Sequence, residues 1–173
     1  MIDDHLKETD LWKQKARAFV TRSHRHLWGK NNEDPQVFLF HQDLTNQFVK
    51  QMHLGWNKHG QERTLEKWGI ESVTAKNHPL PGKLFLPPGI VVPYIVEKKL
   101  ISVFIHPLDP SASTFLVPGS EEDSLLLGDP KAPIKTVEGL FEGLRLFQEE
   151  NKVQEENKVQ CIRIRPRLQD PLV

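Results

Sequence analysis

APIKTVEGLFEGLRLFQEENKVQEENKVQCIRI, residues 132–164, changes its hydrophobic period twice. Ile134–Val137 is β-branched at three of four positions, which reads as a short strand. Glu138-Gly139 interrupts it. Leu140, Leu144 and Phe147 then recur at the spacing of one helical face, and Val159–Ile164 reads as a second strand. A strand–helix–strand unit of this length favours a parallel pair with a right-handed crossover. The helix runs into a direct repeat, EENKVQ at 149–154 and again at 155–160. Six residues is not a solenoid period, so the repeat reads as a tandem duplication that adds about 9 Å of helix, or a loop, before the last strand.

Upstream the texture is different. Ten of the 13 prolines fall between Pro79 and Pro133, among short β-rich runs at Leu84–Leu86, Gly89–Val96, Leu100–His106 and Thr114–Val117. Glu97-Lys98-Lys99 between two apolar runs reads as a hairpin turn. Pro93 inside the first run predicts an edge strand or a bulge, because proline cannot donate to a ladder. Before His78 the pattern is helical. Residues 10–29 place Trp12, Ala16, Phe19, Val20, Ser23 and Leu27 on one face, with Asp10 as N-cap and Gly29 as the stop. Asp34-Pro35 opens a second helix through about Phe40. Thr45 starts a third, with Phe48, Val49 and Met52 inward and Gly55 ending it. The fold class is therefore α+β: a helical N-terminal half, a central mixed β region and a βαβ end.

Composition narrows the function classes. The chain has 173 residues, 38% hydrophobic and 27% charged, with 23 basic and 23 acidic side chains. Zero net charge provides no global field to attract nucleic acid or anionic lipid, so any such binding needs a local patch. The single Cys161 suits a reducing cytoplasm and forms no internal disulfide. The polar N-terminus does not read as a signal peptide, and the longest apolar run is far short of the roughly 20 residues of a membrane span. A cytoplasmic protein with no membrane contact is the expectation.

Several residues invite a chemical role. Glu138 is a carboxylate at the C-terminal end of a strand, before a glycine and a helix, where α/β folds gather their chemistry. The plainer alternative is a helix N-terminal acid favoured by the macrodipole. Arg163, Arg165 and Arg167 alternate, so an extended chain puts them on one face, either as a phosphate-contacting stripe or as a solvated edge. Lys15, Arg22 and Arg25 belong to the basic side of the first helix. Trp56 and Trp68 could stack on bases, or pack in the core. His24 and His26, two apart on a helix, face different ways and do not share a metal. No metal site is read from the residues.

PIKTVEGLFEGLRLFQEE resembles the first strand–helix of the TOPRIM domain of bacterial DnaG-type primases, where a strand ends in Glu-Gly. KLFLPPGIVVPYIVEKKLISVFIHP resembles the hairpin before it, and TFLVPGSEEDSLLLG the stretch that follows, with its turn and leucine-rich loop. FLFHQDLTNQFVKQMHLGWNK and LWKQKARAFVTRSHRHLWG are similar to the helical part of such cores, the latter as in primase-like proteins of mobile elements. The resemblance covers roughly residues 10–165 and divides the chain into a helical part (1–78), a hairpin-rich region (79–131) and a truncated TOPRIM-like βαβ (132–173).

The resemblance implies RNA primer synthesis in DNA replication, with single-stranded DNA and nucleotides as partners, replication proteins beside them, Mg²⁺ as cofactor and Glu138 as the catalytic-type residue. This sequence departs from the family where it matters. No Asp-x-Asp follows Glu138, and a phosphoryl-transfer metal needs clustered carboxylates. The zinc ligands that precede such cores are missing. His106-Pro107 stands where a basic pair is expected, and Glu142-Gly143-Leu144 replaces an Asp-Ala-Leu run. The expectation is a primase-like chain inactive alone. The alternatives are a non-enzymatic nucleic-acid or protein-binding module derived from a primase, and a chain whose acidic half lies elsewhere.

Overall fold

The computed structural model describes residues 4–70, 82–152 and 161–169. Its architecture is mixed α+β, and its largest element pairing is a hairpin. Strand β4 (Gly89–Val96) and strand β5 (Lys99–His106) pair antiparallel from Ile90↔His106 to Val96↔Lys99. Glu97 and Lys98 make the turn, both with positive φ (50° and 67°), as a two-residue turn matched to strand twist requires. Strand β1 (Gly55–Asn57) flanks β4 and strand β6 (Phe115–Leu116) flanks β5, giving the order β1-β4-β5-β6. Pro93 therefore lies in an inner strand rather than at an edge. The ladder tolerates it because β1 reaches only as far as Val91, and a register shift follows at Tyr94/Ile95.

Both faces of this hairpin are covered. Ile90, Val92, Tyr94 and Phe104 belong to one core, and Val91, Val103 and Ile105 to another. Helix α1 (Asp4–Leu27) packs on the second face through Trp12, Ala16, Phe19 and Val20, the stripe read from its periodicity. It begins before Asp10, which is thus an interior residue and not the cap. The same core takes in Trp68, from the 3₁₀ turn Glu66–Trp68, and Leu84 and Leu86 of strand β3 (Lys83–Leu86). β3 pairs with the polar strand β2 (Gln61–Thr64).

On the first face lie helix α2 (Glu33–His41) and helix α3 (Asn46–Gln51), with Leu39, Phe48 and Val49 buried. Thr45 caps α3 by accepting from the Phe48 N–H at 3.1 Å. The helix ends at Gln51, with Met52 as its C-cap before the turn at His53 (φ 56°), and not at Gly55. Gly55 has a different task. A Cβ there would lie 2.6 Å from the His24 backbone nitrogen, so glycine lets β1 run directly against α1.

Strand β8 (Ile134–Val137), helix α4 (Leu140–Lys152) and strand β9 (Cys161–Ile164) form the C-terminal unit. β8 and β9 pair in parallel, with Val137 opposite Ile164. The leucine-rich stretch read as a loop supplies strand β7 (Leu125–Leu127), antiparallel to β9. Two of its leucines are buried, and three like residues give no alternation to read. Leu140 and Leu144 are buried, Phe147 partly so, and Phe141 joins them edge-on to Phe38 at 5.2 Å. Gln148 ties this unit to the helices: its amide donates to the Asp43 carbonyl and accepts from the Thr45 N–H, both at 2.8 Å. The second EENKVQ copy, residues 155–160, lies outside the described residues.

α4 comes so close to the sheet that a Cβ on Gly143 would collide with the Ile164 side chain and lie 3.0 Å from that of Val137. Alanine in a helix gains up to about 1 kcal/mol over glycine, whereas overpacking costs about 1–3 kcal/mol. Gly143→Ala should therefore lower the urea unfolding midpoint despite its better helix propensity. Leu144→Ala, which removes a fully buried side chain, should lose about 2–5 kcal/mol in the same measurement.

Candidate nucleic-acid interface

Glu138 and Arg165 leave the same end of the parallel pair. The Arg165 N–H donates to the Val137 carbonyl at 2.9 Å, carrying the β8–β9 ladder one step beyond Ile164. Glu138 is exposed, and Glu142, one helical turn on, lies close to Gly139. Both carboxylates are near the start of α4, where the helix dipole favours negative charge. The residue across the strand pair is a guanidinium and not a third acid.

The arginines follow the alternation expected of an extended chain. Ile162, Ile164 and Pro166 are buried, Arg163 is half-buried, and Arg165 and Arg167 are exposed. The hydrogen-bonded strand ends at Ile164, so only Arg163 of the three lies within it. The segment beyond is held from elsewhere. The Thr114 N–H donates to the Arg167 carbonyl at 2.7 Å, and the Gln169 N–H to the Thr114 carbonyl at 2.8 Å. Arg163 and Arg165 line an open groove of about 500 Å³ together with Glu122, Asp123 and Ser124. Among the described residues no ion pair engages any of the three arginines.

Lys15, Arg22 and Arg25 are exposed on α1. Lys15 and Arg22, seven apart, share a face of the helix. Because α1 packs mainly on the other side of the four-stranded sheet, this set is a separate surface from the arginine stripe. Trp56 and Trp68 are both buried in the cores and offer no stacking face. His26 is exposed, but His24 is half-buried and bonds through Nδ1 to the Leu54 carbonyl at 2.7 Å. Cys161 is fully buried, and burial pushes its thiol up, which makes it a poor nucleophile.

His106, at the place of an expected basic pair, is buried. Its Nε2–H donates to the Asp109 carbonyl at 2.9 Å, which leaves Nδ1 to accept from the Thr114 hydroxyl at 2.8 Å. Its ring stands edge-on to Phe141 at 4.9 Å. Burial holds the imidazole below its ordinary value of 6.5, outweighing the raising effects of the Asp109 carbonyl and charge. This neutral ring is a structural link between β5 and the segment that holds Arg167, through Thr114.

Among the described residues no three acidic, imidazole or thiol side chains converge. The groups around Glu138 do not fit the carboxylate cage of a Mg²⁺ ion.

No protein-family model matches the chain, and no curated protein does. Among solved structures it matches a structure of the DnaG catalytic core with a TM-score of 0.57 at 12% identity. The match covers 87% of this chain and 53% of that one, so the chain spans about half its length. The fold is primase-like. Among the described residues no helix is long and apolar enough to cross a membrane.

His106 sets a pH dependence whose sign follows from its burial. Above its ordinary value of 6.5 the ring is neutral both folded and unfolded. As pH falls below that value the unfolded chain takes up the proton first, so stability is lost until the folded value is passed. The urea midpoint should fall between about pH 7.5 and pH 5, and fall less in His106→Gln, which keeps an N–H donor.

Proposed function

We propose that this chain is a primase-type core segment that binds single-stranded nucleic acid along Arg163, Arg165 and Arg167 and does not carry out templated nucleotide addition alone. The observation that carries this reading is the arginine stripe at the C-terminal end of the β8–β9 pair, in no ion pair among the described residues, within a primase-like fold. A strand–Glu-Gly–helix followed by a parallel strand is the arrangement with which a TOPRIM domain begins. Glu138 is then the one catalytic-type residue of this chain. Nucleotidyl transfer needs several carboxylates around the metal, and the residue beside Glu138 on the next strand is an arginine and not a further acid.

The electrostatics favour weak, sequence-independent binding. Net charge is zero, and Glu122 and Asp123 line the same groove as Arg163 and Arg165. Phosphates are therefore held by the guanidiniums against the repulsion of these two acids. In this reading Lys15, Arg22 and Arg25 are a second, independent phosphate-contacting set on α1.

Two measurements test this function. The pure protein, given a single-stranded template, Mg²⁺ and labelled nucleoside triphosphates, should incorporate none; incorporation abolished by Glu138→Gln would overturn the inactive-alone reading. Binding to a labelled single-stranded oligonucleotide should weaken with salt by about 0.7 log units per log unit of salt for each phosphate contact. Changing Arg163, Arg165 and Arg167 together to Gln should lower both affinity and slope, the slope by about 2 if each makes one contact. An unchanged slope would move the contacts to α1. No binding of the unmodified protein at low salt would exclude nucleic acid on either surface.

A further inference from the structure

A second concave site lies away from the arginine stripe, where three unrelated segments meet. α1 contributes Arg17, Val20 and His24, spaced so that they share a face; the turn after α3 contributes His53; and the end of the β4–β5 hairpin contributes Ile95, Lys98 and Leu100. Together they enclose an open cleft of about 380 Å³, within the roughly 300–1,000 Å³ of small-molecule sites.

Backbone irregularities gather around it. The register shift at Tyr94/Ile95 leaves Ile95 41% exposed at the cleft, although β4 is otherwise buried up to that point. Lys98 and His53 are two of the five non-glycine residues with positive φ among the described residues, and both line the cleft. Gly55 brings β1 against α1 beside His24. Such departures persist where surrounding structure holds them, and they cluster at binding sites.

The lining is sharply divided in chemistry. Val20, Ile95 and Leu100 make an apolar surface. Arg17 and Lys98 are fixed cations, and among the described residues no carboxylate lines the cleft. Arg17 spends one Nη2–H on the Lys98 carbonyl at 2.8 Å, which pins it to the hairpin turn and leaves its other donors. His24 donates Nδ1–H to the Leu54 carbonyl and meets the His53 ring edge-on at 5.8 Å, so the two imidazoles form a fixed wall.

We infer that this cleft binds a small organic anion: an anionic head, carboxylate or phosphate, between Arg17 and Lys98, with an apolar body against Val20, Ile95 and Leu100. The site is independent of the arginine stripe, so it stands or falls apart from the nucleic-acid reading.

Anilinonaphthalene sulfonate, an apolar body with an anionic head, is a direct probe for the full-length chain. It should bind with one dominant site, and the ring-proton resonances of His24 and His53 should shift while that of exposed His59 stays in place. Octanoate and phenyl phosphate should displace it, and whichever does so at lower concentration identifies the head group. Inorganic phosphate has no body and octanol has no head, so neither should displace it at matched concentration. Arg17→Gln and Lys98→Asn should each weaken binding about tenfold, the loss expected for a charged hydrogen bond. Lys98→Asn is the decisive variant, because asparagine tolerates the positive φ of that turn and leaves the fold intact. Unchanged affinity in a folded Lys98→Asn protein would overturn the proposal, as would equal displacement by octanol or by inorganic phosphate, or shifts confined to other histidines.

Discussion

The β4–β5 hairpin is apolar on both faces, and the remaining elements are arranged to keep water from it. Alternate residues of β4 point to opposite cores, which is why Gly89–Tyr94 is buried without a break. A sheet of this kind needs a cover on each side. α1 and the β2–β3 pair provide one, and α2, α3, α4 and the C-terminal sheet provide the other. At about 25 cal/mol per Å² of apolar surface, exposing either face would cost more than the chain's net stability.

That arrangement places the C-terminal strand–helix–strand unit. α4 is clamped between the sheet it crosses and the helical region it faces. Gly143 permits the close approach to Ile164 and Val137, and the Gln148 amide satisfies one donor and one acceptor of the α2–α3 connection. The end of the β8–β9 pair is thereby left open, with Glu138, Arg165 and Arg167 exposed. His106 and Thr114, both buried, secure the chain beyond β9, so the position of Arg167 rests on a contact with the hairpin itself.

Charge is segregated in a chain whose total is zero. The arginine groove is also lined by two acids, whereas the cleft beside α1 has cations and no carboxylate among its described lining residues. Exposed charges in water interact over roughly a Debye length of 8–10 Å, so each site feels its own lining more than the overall balance. The two concave surfaces are therefore suited to different anions: an extended polyanion at one, and a compact anion with an apolar body at the other.

Local periodicity was enough to read the α+β class, the buried stripe of α1, the start of α3 at Thr45, the hairpin and the parallel β8–β9 pair. These are short-range patterns, set by the 3.6 and 2.0 residue repeats and by turn chemistry. The exposure alternation at Arg163–Arg167 was legible for the same reason. What the amino-acid order could not reveal depends on partners distant along the chain. β2 is polar at every position and is a strand only because β3 pairs with it. β7 is three leucines without alternation. Gly55 reads as a helix stop until α1 is seen against it, and nothing in the sequence around His106 marks it as the buried ring that Phe141 and Thr114 enclose. The cleft at Arg17, His53 and Lys98 joins three separated segments, and no motif within any one of them marks it. Sequence determined the elements and their faces, because those follow from neighbours a few residues apart. Tertiary packing decided which polar groups were buried and which charges came together, because burial and electrostatics act through space.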